Sequence, residues 1–175
     1  VLNVAMFGSD ELAKSIAKAT DQRDVHTYVH KEYQDEVAKI ISIIRPARYP
    51  ERLRPLLNAI SAGRVGIIEV NSVDATLGEV LVAFASSSIN LGLVVINPPN
   101  DEWIDEEMVK KMLAQAGLSK WKFIANDGVE IRNALYQLME EIEQELVDSA
   151  ASQLVVSIDQ YFNVKGIGLV AIGYV

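Results

Sequence analysis

The chain has 175 residues, half of them hydrophobic and 23% charged, and its formal net charge at pH 7 is −8. This length suits one domain of ordinary size with a small appendage, which can bury a core without disulfides or structural metal. Cysteine is absent, which excludes thiolate zinc sites and cysteine nucleophiles and favours a cytoplasmic protein. The acidic charge disfavours nucleic-acid binding by bulk electrostatics, so we expect no DNA partner, although a local basic face is compatible with it.

The N-terminal segment is apolar but too short to cross a membrane. It runs from Val1 to Phe7 and is interrupted by Gly8 and acidic residues, far short of the roughly 18 apolar residues of a membrane span. We therefore expect neither a signal peptide nor a transmembrane helix, and no membrane partner.

Apolar runs alternate with segments of helical spacing from residue 3 to residue 149. Such alternation predicts strand and helix repeats, and right-handed crossovers arrange the strands as a parallel sheet. The expected fold class is α/β: a P-loop NTPase-like, mostly parallel sheet of about five or six strands with helices on both faces. The predicted strands lie at residues 4–7, 37–44, 65–70, 91–96 and 121–125. The predicted helices comprise one with Leu12, Ile16 and Ala19 on its face, and then residues 50–61 starting at Pro50, 74–88, 104–116 closed by Gly117, and 129–149.

The last stretch of the chain has no helix between its strands. Residues 155–159 and 168–175 are the predicted strands of an antiparallel β-hairpin. We place a domain boundary near Ser152, which divides the chain into residues 1–150 and 151–175. Because an isolated hairpin is barely stable, we expect it to pack on the first domain or to belong to a larger domain that this chain does not contain.

The first strand is followed by a loop with the spacing of a phosphate-binding loop. Such a loop needs glycines so that backbone N–H groups can curl around phosphates, a lysine to reach them, and a Ser or Thr for Mg²⁺. Gly8, Lys14 and Ser15 fit that spacing, with Ala13 in place of the second glycine. The alternative is an ordinary strand-to-helix turn, which the acidic residues at 10–11 favour because carboxylates repel phosphate.

Two further strand ends and two histidines are weaker candidates. Residues 45–50 follow a strand at the place where a P-loop protein binds Mg²⁺, but none of them is a metal ligand.

The Asn-Pro-Pro-Asn-Asp segment, residues 97–101, follows another strand, where an aspartate that recognises a base could lie. The favoured alternative is a helix cap formed by Asn100 or Asp101. His26 and His30 are an incomplete zinc set without a third ligand, and we interpret them as surface or edge residues.

Three parts of the chain carry a family resemblance. Residues 156–175 contain a Tyr-Phe pair, a Val-Lys-Gly run and a glycine-rich apolar run, while residues 67–70, 76–79 and 93–97 form a predicted strand, helix and strand. In this order the chain resembles the elongation factor Tu superfamily of translational GTPases, especially its archaeal selenocysteine-factor-like and pyrrolysine-associated, degenerate branches. The resemblance implies a GTPase-like domain at 1–150, followed by the first strands of a β-barrel domain that is cut short.

The resemblance also implies a nucleotide site, but several of its motifs are altered. GTP or GDP with Mg²⁺ would bind weakly at the phosphate loop, with Ser15 contacting the metal. The family's Asp-Thr-Pro-Gly-His segment corresponds to residues 45–49, which lack the acid, the glycine and the histidine. Its guanine motif Asn-Lys-x-Asp corresponds to residues 97–100, in which Asn97 remains and Asn100 stands in the place of the aspartate. The carboxylate of the motif is therefore lost or displaced to Asp101.

Phosphoryl transfer depends on positioning and metal charge, so losing both a water-orienting residue and a metal contact makes fast hydrolysis improbable. We expect an elongation-factor-like protein that binds guanine nucleotide weakly or not at all and acts on aminoacyl-tRNA or the ribosome. The alternative is a pseudo-GTPase that serves as a protein-interaction module, which has no need to keep Lys14 and Ser15. The hypothesis of an unrelated P-loop or flavodoxin-like enzyme ranks last, because it does not account for the C-terminal hairpin.

Overall fold

A computed structural model describes residues 1–22, 25–34, 37–148 and 157–174. The chain divides into two compact units, Val1–Glu140 and Glu141–Val175. The predicted boundary near Ser152 lies outside the described residues, and the predicted division into domains stays a prediction. In chain order the elements are β1 Leu2–Phe7, α1 Asp10–Ile16, β2 Lys18–Gln22, β3 Val25–Gln34, β4 Val37–Pro46, α2 Leu53–Ala62, β5 Val65–Val70, α3 Ala75–Ala85, β6 Gly92–Ile96, α4 Glu106–Ala116, β7 Lys122–Ile124, α5 Gly128–Asp148, β8 Ser157–Val164 and β9 Gly168–Tyr174.

The first unit is built on a seven-stranded sheet with the order β2-β3-β4-β1-β5-β6-β7. The five strands from β4 to β7 in this order are parallel to one another, whereas β3 is antiparallel to β4 and β2 is antiparallel to β3. The prediction of an α/β fold with a mostly parallel sheet is therefore confirmed. The sheet is wider than expected because the segment after α1 adds two antiparallel strands at one edge.

Helices cover both faces of this sheet. On one face, buried side chains of α2, α3 and α4 form a cluster with Ala5, Ile68 and Val94 of the strands. Side chains alternate between the faces of a strand, so Ile67 and Leu93 point to the opposite side, where they are also buried. The remaining helices, α1 and α5, bury their own apolar side chains and contact each other through hydrogen bonds.

Two predicted helix boundaries are wrong. The helix α1 ends at Ile16, because Ala17 is extended with φ −149° and ψ 163°, and Ala19 lies in β2 opposite Tyr28. Pro50 is not the first residue of α2, since it lies in a turn in which the N–H of Arg52 donates to the carbonyl of Arg48 at 2.8 Å. The other helices lie where they are expected, and Gly117 closes α4 in the left-handed conformation with φ 86°.

A tryptophan packs directly on two glycines of neighbouring strands. Gly66 of β5 and Gly92 of β6 are paired in register, and a Cβ atom at either position would collide with the indole ring of Trp121. Phe84 of α3 meets the same ring edge to face, with 5.1 Å between ring centroids. The two glycines therefore leave the space into which the Phe84–Trp121 pair packs.

The second unit contains an antiparallel hairpin of β8 and β9, as predicted. Its turn lies between Val164 and Gly168, where Gly166 and Gly168 have positive φ values of 88° and 99°. The predicted strand residues 155–156 and 175 lie outside the described part of the chain. Among the helices that the structure describes, none combines the length and the apolar character that a membrane crossing requires.

The packing of Trp121 on the sheet predicts opposite effects for two glycine-to-alanine substitutions. We expect Gly66→Ala to lower the free energy of unfolding by about 1–3 kcal/mol, because the new methyl group overpacks the core against the indole ring. The matched control is Gly78→Ala in α3, where a Cβ atom meets open space and the loss of a helical glycine should stabilise by about 0.5–1 kcal/mol. Urea unfolding measures both, and equal effects would contradict the described packing.

Candidate functional site

The candidate site lies at the carboxyl ends of the parallel strands β1, β5 and β6, where ligands bind in open α/β sheets. A cavity of about 300 Å³ opens there, lined by Phe7 and Ser9 after β1 and by Glu69, Asn71 and other residues at and beyond the end of β5. Of the residues that the sequence predicts for a nucleotide site, Gly8 is among those that line this cavity.

The loop between β1 and α1 is short. Only Gly8 and Ser9 separate the strand from the helix, and the Ser9 hydroxyl caps the helix by accepting a hydrogen bond from the N–H of Leu12 at 3.0 Å. The helix therefore begins at Asp10, and the predicted phosphate-loop positions from Ala13 onward are helical residues rather than part of a curled loop.

The predicted phosphate-loop residues are engaged in contacts within the protein. Ala13 is fully buried, and the Ser15 hydroxyl donates to the carbonyl of Leu12 at 2.8 Å. The ammonium group of Lys14 forms an ion pair of 2.5 Å with Asp10. Of the predicted set, only Gly8 lies in the loop, and binding of nucleotide or of Mg²⁺ by these residues stays a prediction.

A buried carboxylate, Glu69 at the end of β5, occupies the position next to this loop. Its side chain is 1% exposed and accepts hydrogen bonds from the N–H of Ser9 and, at 2.6 Å, from the Nδ2 of Asn97. Gly8 passes so close that a Cβ atom there would lie 2.9 Å from the carboxylate oxygen. A carboxylate in this place supplies the negative charge that a phosphate would otherwise bring, so these residues do not fit a phosphate group.

One residue of the predicted guanine-motif remnant, Asn97, makes contacts within the protein. Asn97 follows β6 and holds Glu69, while its own N–H donates to the carbonyl of Val70 at 3.0 Å. Asn100 has a positive φ of 54° in a short 3₁₀ turn, Pro99–Asp101. The side chain of Asp101 lies outside the described part, so base recognition by this segment stays a prediction.

A polar cluster joins the start of α1 to the antiparallel strands β3 and β4. The buried Tyr28 donates a hydrogen bond from its hydroxyl to Asp10. Arg45 donates to the carbonyl of Gly8 at 3.3 Å and lies 3.9 Å from Asp10. Its Nη2 atom is 3.1 Å from the Nδ1 of His26. The hydrogen bond from Lys14, together with the one from Tyr28, holds the pKa of Asp10 below its usual value of 3.8.

The two histidines lie on the same strand, β3, but they have different surroundings. The His26 ring contacts Arg45, whereas the His30 ring faces Tyr136 of α5, with 6.3 Å between ring centroids. Within the described residues no group of three or more His, Asp or Glu side chains is placed to hold a metal ion.

Sequence reasoning missed two acidic residues of the site. Glu69 is the single charged residue in the otherwise apolar run 65–70, and that interruption was the available signal. Asp74 caps α3 by accepting from the N–H of Leu77 at 3.0 Å, and this backbone hydrogen bond, with one from Ser72, holds its pKa below the usual value. The cavity beside the loop is therefore lined by carboxylates.

Comparison with known proteins shows a fold but no family. No family model matches the chain. It is 27% identical over 175 residues to an uncharacterized protein of Methanocaldococcus jannaschii. The alignment covers 99% of this chain and 52% of that protein. The chain thus spans about half the length of the curated relative it matches.

Among solved structures, the chain is similar to a bacterial selenocysteine-specific elongation factor, EF-Sec. The TM-score is 0.55 at 16% identity, over 97% of this chain and 33% of the other. At such low identity the likeness shows the fold alone. The chain therefore has an α/β fold that is similar to part of that structure.

The Asp10 cluster predicts a component of acid sensitivity. Because the folded-state pKa of Asp10 lies below 3.8, its stabilisation is complete above the unfolded value and is lost as pH falls through the lowered pKa. Wild type should therefore lose more stability than Asp10→Asn between about pH 5 and pH 2, as measured by thermal unfolding at a series of pH values. The control is Glu11→Gln, an exposed carboxylate on the same turn, and an acid response of Asp10→Asn as steep as that of wild type would contradict the assignment.

Proposed function

We propose that the protein is an elongation-factor-like pseudo-GTPase, whose α/β domain keeps its fold for contact with partners rather than for nucleotide turnover. The single observation that carries the proposal is the hydrogen bond from the N–H of Ser9 to the buried carboxylate of Glu69. A GTPase needs that end of the first strand for phosphate, whereas here a side chain of the protein occupies it.

Electrostatics supports the same conclusion. A phosphate at this loop would meet the carboxylate of Glu69 at close range, and two like charges a few ångströms apart repel strongly when one of them is buried. The cation that could compensate, Lys14, is already paired with Asp10. Binding a nucleotide would therefore require both the loop and the ion pair to rearrange.

The segment that replaces the family's Asp-Thr-Pro-Gly-His motif supports a loss of catalysis. Arg45 is committed to the carbonyl of Gly8 and to His26, and the hydroxyl of Tyr49 donates to Glu79 at 3.1 Å. Neither side chain can take the place of a metal-binding acid or a water-orienting histidine, on which phosphoryl transfer depends.

The likeness to an elongation factor supports a partner from the translation machinery. We propose aminoacyl-tRNA or the ribosome, bound without a requirement for GTP. Co-sedimentation with ribosomes, with and without added GTP, tests this part of the proposal. A dependence of binding on GTP would contradict it.

Isothermal titration calorimetry tests whether the β1–α1 loop beside Glu69 binds a nucleotide. Titration of the protein with GDP, and with GTP plus Mg²⁺, should give no saturable heat, which corresponds to a Kd weaker than about 1 mM. Single-turnover GTP hydrolysis should stay at the uncatalysed background. Saturable binding in the micromolar range would overturn the pseudo-GTPase proposal.

A second candidate, a GTP-binding factor with poor hydrolysis, is favoured by the retained spacing of Gly8, Lys14 and Ser15. It predicts weak nucleotide binding that Lys14→Ala abolishes and that Asp10→Asn strengthens, most at low salt where repulsion is least screened. Lys120→Ala, at an exposed lysine before β7, is the control. The pseudo-GTPase proposal predicts instead that none of these variants changes a baseline of no binding, even after Ala13→Gly and Glu69→Gln are added.

A further inference from the structure

A basic groove lies at the C-terminal end of α1, away from Glu69 and the β1–α1 loop. Its volume is about 560 Å³, and it is lined by Lys14, Lys18, His30 and Arg132, together with residues 15–19 around the end of the helix. Among the described residues that line the groove there is no Asp or Glu. In a chain with a net charge of −8, a concave surface with this composition is a local exception.

The cations of the groove are available to a ligand to different degrees. Lys18 is exposed at the start of β2, and its ammonium group has no hydrogen-bond or ion-pair partner among the described residues. The ammonium group of Lys14 is already in an ion pair with Asp10. Arg132 donates through Nη1 to the carbonyls of Ser15 and Ile16 at 2.7 and 3.1 Å, and a guanidinium has further N–H donors to offer.

Arg132 also changes the electrostatic character of the helix end. The C-terminus of a helix carries unpaired carbonyls with a partial negative charge, which disfavour an anion. Here the last carbonyls of α1 accept from Arg132 of α5. The close approach of the two helices is possible because Gly128 has no side chain, since a Cβ atom there would collide with the Ser15 carbonyl.

One aromatic ring, that of His30, lines the groove. Behind it, the ring of Tyr136 lies 6.3 Å from the His30 ring, measured between centroids. The hydroxyl of Tyr136 has its pKa raised by burial and by the nearby Glu32, which is the carboxylate that approaches this wall. Cations that can contact a backbone, beside an aromatic ring on which a base can stack, are the combination that binds single-stranded nucleic acid.

From this geometry we propose that the groove binds single-stranded RNA, with Lys18 and Arg132 contacting phosphates and His30 stacking on a base. The choice of RNA over other polyanions rests on the proposed role in translation. The three residues that carry the proposal, Lys18, His30 and Arg132, lie outside the β1–α1 loop, and none of the described hydrogen bonds joins them to Glu69.

Fluorescence anisotropy with a labelled single-stranded RNA of about ten nucleotides tests the proposal, since a stretch of this length fills a typical single-strand site. Wild type should bind, with an affinity that falls as salt rises. Lys18→Glu should weaken binding by about fivefold or more at low salt and reduce the salt slope by about one, because one phosphate contact is lost. His30→Ala should weaken binding while leaving the salt slope unchanged, since stacking releases no counterion.

The matched control is Lys120→Glu, which makes the same charge change at an exposed site before β7, at the opposite edge of the sheet. It should bind RNA like wild type. Equal weakening by Lys120→Glu and Lys18→Glu would overturn the proposal, as would the absence of RNA binding by wild type at low salt. Competition by inorganic phosphate alone that is as effective as competition by unlabelled RNA would also overturn it, because the groove would then be a site for free phosphate.

The two proposals fail in distinguishable ways. Saturable GTP binding in calorimetry would remove the pseudo-GTPase proposal without changing the RNA titration of Lys18→Glu. Loss of RNA binding in wild type would leave the nucleotide measurements unchanged. Far-UV circular dichroism of each variant shows whether it is folded. To test Arg132, we choose Arg132→Lys, because it keeps the positive charge near the end of α1.

Discussion

The buried carboxylate of Glu69 connects the ends of three strands. It belongs to β5, it binds the backbone N–H of the turn after β1, and it binds the amide of Asn97 after β6. A buried charge is tolerated only where donors surround it, so this one contact specifies several of its neighbours. Gly8 is required because a Cβ atom would meet the carboxylate, and Asn97 is required as a donor. The packing of the protein thus uses two residues, Gly8 and Asn97, that the family resemblance assigns to a nucleotide site.

The core of the sheet could be predicted from the sequence because its strands are apolar runs with clear ends. Residues 65–70 and 92–96 could hardly be anything other than buried strands, and Gly117 marks a helix end by a left-handed conformation that glycine adopts readily. The edge of the sheet could not be predicted in the same way. The strand β2 is polar and short, and α1 gives way to it after Ile16 with only Ala17 between them. The contact of Trp121 with Gly66 and Gly92 joins residues far apart in sequence, and no periodicity reveals it.

The candidate site shows why spacing alone is a weak guide. The distance from Gly8 to Lys14 and Ser15 matches a phosphate loop, but the same residues match a helix that starts earlier. Ser9 is a preferred N-cap residue, and acidic residues in the first turn are favoured by the helix dipole. The helix signal begins at Asp10, so the residues needed to curl around a phosphate are taken up by regular hydrogen bonds. The decisive contact, with Glu69, comes from 60 positions further along the chain.

The antiparallel strands β3 and β4 bear on whether the domain can respond to a nucleotide at all. A nucleotide-driven switch works by ordering a loosely held segment around the γ-phosphate. Here β3 and β4 are ten residues each and pair along their whole length. Tyr28 of β3 is fully buried, and its hydroxyl donates a hydrogen bond to Asp10 at the start of α1.

Releasing these strands would break a continuous ladder of backbone hydrogen bonds and expose the Tyr28 ring. Each such bond is worth only about 0.5–1.5 kcal/mol, but a long ladder opens as a unit. A ligand shifts a conformational equilibrium only by its difference in affinity for the two states. Because a phosphate would be repelled by Glu69, its binding supplies no free energy for opening the β3–β4 ladder. The arrangement therefore favours a domain with one stable conformation, which suits a binding surface better than a nucleotide-driven switch.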